Sequence, residues 1–204
     1  MTEIQTEAVI ATALPAVVLR NAFLAASLSA SKDSLLPVLA AVHVSKTGDV
    51  LLFRGTDRYR LTHVNVTLQN TPDGDWETLV SVADVKRVVA LLPKTDPAYG
   101  APVLATLSPT EVSLPGMSSA SFTPVDGDYP RTKSVIPIST AELPQIALKP
   151  EHIADLAKMP GRYKNHGMVF QFAGERKPVT VKWVDNKHEN VEYLYLIMPE
   201  RIPE

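Results

Sequence analysis

Apolar positions recur along this chain at two spacings, and the alternation between them predicts where helices and strands lie. From residue 14 to residue 29 the apolar side chains follow the period of a helix, and Pro15 stands in the first turn, where proline is tolerated. Shorter segments with period-two alternation follow, and the turn residues 46–49 join two of them as a hairpin. These segments predict strands over residues 39–45, 50–55 and 59–68.

The same order of elements returns twice further along the chain. A second helix is predicted over residues 82–92, with Ser81 or Asp84 as its cap, and a third opens at Pro150 and ends at Pro160. The second and third helices begin about 68 residues apart, which is longer than the usual solenoid repeat. The remaining strands are predicted over residues 78–82, 103–107, 111–114, 118–123, 146–148, 168–172, 179–184 and 193–198.

These elements group into three units, each consisting of a strand, a helix and three further strands. One helix covers only one face of an antiparallel sheet, so units packed side by side form an α+β architecture with helices on one face of each sheet. We predict a domain of two units over residues 1–130, a connector over residues 131–143 and a third unit over residues 144–204.

The composition is that of a globular protein, and it excludes several other classes. The 204 residues are 45% hydrophobic and 21% charged, the net charge is −2, and no cysteine is present for disulfides or thiolate metal sites. No apolar run reaches the roughly 18 residues of a membrane span, and the N-terminal segment lacks the basic region of a signal peptide. We therefore expect a cytoplasmic protein without a membrane partner.

Residues that support catalysis in other proteins are scattered here rather than grouped. None of the five histidines stands at a metal-ligand spacing, and neither a nucleophile elbow nor a glycine-rich phosphate loop is present. The acidic residues Asp73, Asp75 and Glu77 accompany Pro72 and Gly74, which favours a solvated hairpin turn over a carboxylate site. We expect a protein that is not an enzyme and that uses no metal or other cofactor.

The segment of residues 55–61 is more specific than the rest of the chain. Its Thr56-Asp57 pair is typical of a turn between two strands, in which the Asp side chain bonds nearby backbone amides. An aromatic and a basic residue, Tyr59 and Arg60, follow directly at the start of a predicted strand. A simple turn and part of a binding site are therefore both open interpretations.

Three motifs, in the same order along the chain, resemble the β sliding clamp of bacterial DNA polymerase III. They are Leu36-Pro37-Val38-Leu39 with Thr56-Asp57-Arg58-Tyr59-Arg60-Leu61, then Val125-Asp126-Gly127-Asp128-Tyr129-Pro130 with Val135-Ile136-Pro137, and finally Tyr195-Leu196-Ile197-Met198-Pro199-Glu200-Arg201. The family motif has Gly-His where this chain has Arg58-Tyr59, and Met where it has Glu200. The likeness extends over roughly residues 14–204, with poor alignment over residues 160–192.

The resemblance implies an apolar pocket that captures linear peptides of DNA polymerases and clamp loaders. Leucine, methionine and proline suit its floor, tyrosine suits its rim, and arginine suits the carbonyl and carboxylate groups of a peptide. Plain core packing remains an alternative for Leu39, Leu61 and Leu196, as does a simple strand end for Met198-Pro199. The matching positions are Leu39, Thr56, Tyr59, Arg60, Leu61, Pro137, Leu196, Met198, Pro199 and Arg201.

Weak, non-specific contact with double-stranded DNA through basic residues on the helices is a second implication of the resemblance. An ordinary solvated surface is an equal alternative for these residues, which are Arg20, Lys86, Arg87, Lys94, Lys158, Arg162 and Lys164. The implied function is that of a processivity factor, a homo-oligomer that tethers a DNA polymerase to DNA. The alternative is a monomeric or dimeric adaptor or decoy that binds the same peptides without encircling DNA.

Overall fold

The computed structural model describes residues 11–69, 74–140, 145–161 and 167–201. Its helices are α1 (Ala16–Ser29), α2 (Val82–Leu91) and α3 (Pro150–Leu156), with a 3₁₀ turn at Lys133–Val135. Its strands are β1 (Thr12–Pro15), β2 (Ala41–Thr47), β3 (Val50–Thr56), β4 (Arg60–Thr67), β5 (Trp76–Ser81), β6 (Leu104–Leu107), β7 (Glu111–Ser113), β8 (Ser119–Ser121), β9 (Phe170–Gln171), β10 (Val179–Val184) and β11 (Val191–Ile197). All described pairings between these strands are antiparallel.

Two sheets are built by an exchange of first strands between the first two units. The smaller sheet has the strand order β1-β6-β7-β8, and the larger has the order β5-β2-β3-β4-β11-β10-β9. Strand β1 of the first unit thus completes the sheet of the second unit, while β5 of the second unit pairs with β2 of the first. Helices α1 and α2 contact each other and strands of both sheets, so the two units share one hydrophobic core.

Helix α1 approaches β3 closely because the strand presents a glycine to it. A Cβ atom built on Gly55 would stand 1.9 Å from the carbonyl oxygen of Ala26, so no larger residue fits at this crossing. The rings of Phe23 in α1 and Phe53 in β3 meet edge to face with their centroids 5.1 Å apart, and both are fully buried. These contacts hold the helix against the middle of the larger sheet.

The third unit joins the larger sheet through its last strand. Strand β11 pairs with β4 over seven residues, ending with Ile197 opposite Arg60. Helix α3 is held to this unit by the buried side chain of Leu156 and by a 3.0 Å hydrogen bond that the Tyr195 hydroxyl donates to the carbonyl oxygen of His152. The pairing brings the C-terminal strand directly beside the strand that follows the Thr-Asp turn.

The expected α+β class, with antiparallel sheets and repeated strand–helix–three-strand units as in sliding clamps, is confirmed. Ser81 caps α2 by accepting a 3.0 Å hydrogen bond from the amide of Asp84. Helix α1 begins at Ala16 rather than at residue 14, because Leu14 pairs with Ala105 across the smaller sheet and Pro15 becomes the residue before the helix.

Several elements of the third unit differ from the prediction. Residues 146–148 form no strand, since Ala147 makes only an isolated bridge, to Glu200. Helix α3 ends at Leu156 instead of Pro160, because the amides of Ala157 and Lys158 bond carbonyl groups three residues back, which tightens the last turn. The predicted strand over residues 146–148 was therefore wrong, and the third helix was correct in position but too long. The strand predicted over residues 168–172 is also shorter, since β9 spans only Phe170–Gln171.

The larger sheet includes strands from both ends of the chain. It joins strands β2 to β5 with strands β9 to β11. The division of the chain into residues 1–130, 131–143 and 144–204 stays a prediction. No helix within the described ranges is long and apolar enough to cross a bilayer.

Candidate functional site

The Thr-Asp segment forms a tight turn whose polar side chains are used within the turn itself. The Thr56 hydroxyl donates a 2.7 Å hydrogen bond to the carbonyl oxygen of Arg60 and accepts one from the amide of Arg58. Asp57 Oδ1 accepts hydrogen bonds of 3.0 Å from the amides of Tyr59 and Arg60. The turn therefore fixes the backbone at Tyr59, whose side chain is 58% exposed.

Arg60 is locked between two carboxylates. Its Nε donates a 2.9 Å hydrogen bond to Asp57 Oδ2, and a terminal nitrogen pairs with Asp155 from α3, which also accepts a 2.6 Å bond from Lys158 Nζ. Burial of Arg60 opposes its charge, but hydrogen bonding to Asp57 and the charge of Asp155 raise the pKa of the guanidinium above its ordinary value. Burial likewise opposes the Asp155 carboxylate, yet Lys158 and Arg60 keep the pKa of Asp155 below its ordinary value.

An apolar groove of about 540 Å³ opens where the Thr-Asp turn meets the end of β11. The amide of Met198 donates a 2.8 Å hydrogen bond to the carbonyl oxygen of Tyr59, which extends the β4–β11 ladder by one step. The buried side chains of Leu39, Leu61 and Leu196 line the groove, so these leucines are core residues and groove residues at once. The other walls come from residues 35–38, residues 128–135 and Pro178.

A second, polar cavity of about 670 Å³ adjoins the apolar groove. The two share Arg58, Tyr59 and Arg60 among their lining residues. Lys149 Nζ lies 5.2 Å from the centre of the Tyr59 ring, so the tyrosine stands between the apolar and the cationic side of the opening. Burial, reinforced by the charge of Arg60, lowers the pKa of His152 on the polar side, which favours the neutral imidazole.

The wall formed by residues 128–135 is fastened to the outer face of the larger sheet. The Tyr129 ring packs on His43 with centroids 4.9 Å apart, and the Arg54 guanidinium lies 5.5 Å from the same ring centre. His63 Nε2 and the Thr132 hydroxyl are 2.9 Å apart, within hydrogen-bond distance. These contacts position the connector so that it borders the groove.

Comparison with known proteins agrees with this fold. No family model matches the chain. Over 118 residues the chain is 33% identical to the β sliding clamp of Micrococcus luteus, a match that covers 56% of this chain and 36% of that protein. The DNA polymerase III β subunit of Thermotoga maritima has the same fold with a TM-score of 0.75, at 17% identity, over 95% of this chain and 66% of that one.

This is a sliding-clamp-like protein. The β subunit of the DNA polymerase of Streptococcus pyogenes also matches its fold, with a TM-score of 0.75 at 15% identity, over 99% of this chain and 68% of that one. The clamp-like chain thus spans about two thirds of the length of these two solved clamps, and its match to the curated relative spans 36% of that protein.

The structure brings most of the predicted pocket residues of the clamp-like chain into the apolar groove. Those that line it are Leu39, Thr56, Tyr59, Arg60, Leu61, Leu196 and Met198. Pro137, Pro199 and Arg201 do not line it. After Met198 the chain turns away, as the amide of Glu200 bonds the carbonyl oxygen of Ala147, and the connector contributes Val135 in place of Pro137.

Several groove residues were not among the predicted pocket residues, although Leu36, Pro37 and Val38 stand in the first clamp motif. Leu35 is 85% exposed and lines the groove together with Leu36, Pro37 and Val38, all in the loop that follows α1. The amide of Leu35 bonds Asp33 Oδ1 at 2.9 Å, which helps to hold this loop. The signal in the sequence was a run of four apolar residues outside any helix or strand. A contiguous apolar patch on a protein surface often marks a binding site.

The predicted DNA-facing residues lie in different surroundings. On α2, Lys86 and Arg87 are exposed, but Arg87 is paired with Asp84 and bonds the carbonyl oxygen of Ser121. Arg20 is partly buried in α1, Lys94 is exposed after α2, and Lys158 lines the polar cavity. Arg162 and Lys164 lie outside the described residues. Contact of these residues with DNA stays a prediction.

Metal binding has no support within the described ranges. No group of three or more histidine, aspartate or glutamate side chains there has an arrangement that could hold a metal ion.

Proposed function

We propose that this clamp-like chain is a processivity factor of DNA replication, which captures peptides of a DNA polymerase and of clamp-loader-type proteins in its apolar groove. The observation that carries the proposal is the backbone bond between Met198 and Tyr59, which joins the two motif-bearing strands at the groove. The motif that contains Tyr59 and the motif that contains Met198 thus meet at one surface, as capture of a single peptide requires.

The chemistry of the groove suits an extended peptide with apolar side chains. Its volume of about 540 Å³ accommodates a few large side chains, and its base of leucines offers a desolvated contact. Met198 adapts its shape to different ligands, while the exposed ring of Tyr59 provides a rigid rim with a polar end. Arg60 acts by holding the turn, because both sides of its guanidinium are already engaged by carboxylates.

Weak contact with double-stranded DNA is the second part of the proposal. Exposed lysines on or after α2, Lys86 and Lys94, are suited to phosphate contacts without base recognition. Changing both to Glu should weaken binding to duplex DNA and reduce the slope of log affinity against log salt by about 2. The control is Lys182→Glu, at an exposed lysine on β10. An equal loss of DNA affinity in that variant would show that the effect is not specific to Lys86 and Lys94.

A second candidate function is an adaptor or decoy that binds the same peptides in the apolar groove without encircling DNA. A processivity factor would instead assemble into a homo-oligomer around DNA. Analytical ultracentrifugation with and without duplex DNA separates the two, since a chain that stays monomeric in both conditions supports the adaptor.

Peptide capture itself is tested with the double variant Tyr59→Ala, Met198→Ala. Titration of a labelled clamp-motif peptide should show about a tenfold or greater loss of affinity, because both side chains line the groove and would contribute apolar contact to the peptide. Circular dichroism should show an unchanged fold. Retained affinity in a folded double variant would refute the pocket.

A further inference from the structure

Arg58 holds an unusual backbone conformation at the tip of the Thr-Asp turn. Its φ angle is 80°, and among the described residues it is the only non-glycine residue with a positive φ. The clamp motif that this segment resembles has glycine at this place, and glycine adopts such a conformation without a steric cost. Because Arg58 is not glycine, this backbone conformation costs free energy. Backbone strain of this kind is often found at functional positions.

The side chain of Arg58 lies where the two cavities join. It lines both the apolar groove and the polar cavity, together with Tyr59 and Arg60. The charge of Arg60 is neutralised by Asp57 and Asp155. In the part of the chain that the structure describes, no carboxylate forms an ion pair with Arg58.

Charged side chains of both signs surround this opening. Lys149 is paired with Glu200 at 3.4 Å, as Arg60 and Lys158 are with carboxylates. The lining residues outside these pairs are the cations Lys32, Arg58 and Arg131 and the carboxylates Asp33, Asp128 and Glu151. Selection of an anionic group therefore depends on the placement of Arg58 between the two cavities and not on a net charge of the opening.

We propose that Arg58 selects peptides that carry an acidic side chain beside the apolar residues seated in the groove. This inference rests on the peptide capture proposed above. A guanidinium at the rim of an apolar groove favours a carboxylate, because charge-assisted hydrogen bonds are stronger and more directional than neutral ones. The position that is glycine in the clamp motif thus becomes a specificity-determining residue in this chain.

The test compares short fluorescein-labelled peptides that carry large apolar side chains, as the groove requires, and that differ at one flanking position. Each peptide with Asp at that position has a counterpart with Asn, and the position is moved along the series. The wild type should bind at least one Asp peptide about tenfold more tightly than its Asn counterpart, with the difference shrinking at high salt.

Three variants make the assignment specific to this side chain. Arg58→Gly should remove the preference for Asp, so that the Asp and Asn peptides bind this variant with equal affinity. The variant should also melt at a higher temperature, because glycine adopts the positive φ without strain. Arg58→Lys should keep part of the preference. Arg176→Gly, at an exposed arginine outside both cavities, should behave as the wild type.

The outcomes that contradict the inference are distinguishable from failure of peptide capture. Tight and equal binding of Asp and Asn peptides by the wild type overturns the role of Arg58 and leaves peptide capture standing. Binding of no peptide at millimolar concentration overturns both. Loss of duplex DNA binding in Arg58→Gly, with an unchanged preference for the Asp peptide, overturns the inference by assigning this arginine to DNA phosphates.

Discussion

The backbone amide of Met198 donates a 2.8 Å hydrogen bond to the carbonyl oxygen of Tyr59. This bond continues the ladder between β4 and β11, so the two residues are held in register by a sheet rather than by a flexible loop. Tyr59 sits on a turn closed by its own hydrogen bonds, and Met198 follows directly after β11. The groove between them is therefore preorganised, which lowers the entropic cost of ordering the site when a peptide binds.

Replacing Leu35 by Ser should weaken peptide binding by about five- to tenfold, because this exposed leucine lines the groove and would be covered by the ligand. Ile138→Ser is a matched control, since Ile138 is fully exposed and does not line the groove. Fluorescence anisotropy with a labelled apolar peptide measures both. Equal affinities for the two variants would show that the loop after α1 takes no part in binding.

Gly55→Ala should destabilise the protein by about 3 kcal/mol, because the added methyl group meets the carbonyl oxygen of Ala26 and pushes α1 away from the larger sheet. Gly167→Ala is the control, as a Cβ atom there meets nothing within 4 Å. The free energy of unfolding from urea titration gives the comparison. A stability loss of similar size in both variants would mean that the helix–strand crossing is not the cause.

Asp155→Asn should cost about 3 kcal/mol of folding free energy, because it leaves the buried guanidinium of Arg60 with only one carboxylate. Lys158→Gln removes the other partner of Asp155, but Lys158 is 63% exposed, so its loss should cost less than about 1 kcal/mol. Chemical denaturation of both variants checks this order. A larger stability loss in Lys158→Gln than in Asp155→Asn would show that the ion pair of Asp155 with Lys158, and not the one with Arg60, stabilises the position of α3.

Stability should fall as the pH drops below 6.5, in part because of His63. Burial, followed by the charges of Arg54 and Lys133, lowers the pKa of His63 from 6.5 to about 4. Between these values the unfolded chain binds the proton and the folded chain does not, so the contribution is fully present above 6.5 and is lost as the pH falls toward 4. The loss amounts to about 3 kcal/mol at full protonation.

The control for this pH dependence is His63→Gln, which keeps a polar group opposite Thr132 and does not titrate. Urea titrations at several pH values should show a shallower fall in stability for the variant than for the wild type. Because His43 and His152 also have pKa values lowered chiefly by burial, some pH dependence should remain. Identical slopes for variant and wild type would exclude His63 as a source.

Most of the local elements and the chemistry of the Thr-Asp turn could be predicted from the sequence. Strand β10 lies where it was predicted, and the hydrogen bonds of Asp57 are those expected for a turn. Such features depend on side chains a few residues apart, whose period and turn chemistry are visible in the chain. The clamp motifs could be recognised in the sequence for the same reason, because each one is a short contiguous segment.

The contacts between these distant segments depend on the packing of the whole chain. The exchange of β1 and β5 between sheets, and the pairing of β4 with β11, join segments that lie far apart in the chain. In the resulting structure Leu35 and Val135 line the groove, whereas Pro137 does not. Arg60 forms an ion pair with Asp155, which lies 95 residues further along the chain. Strand partners are selected by the packing of the whole core, so no local pattern of residues specifies them.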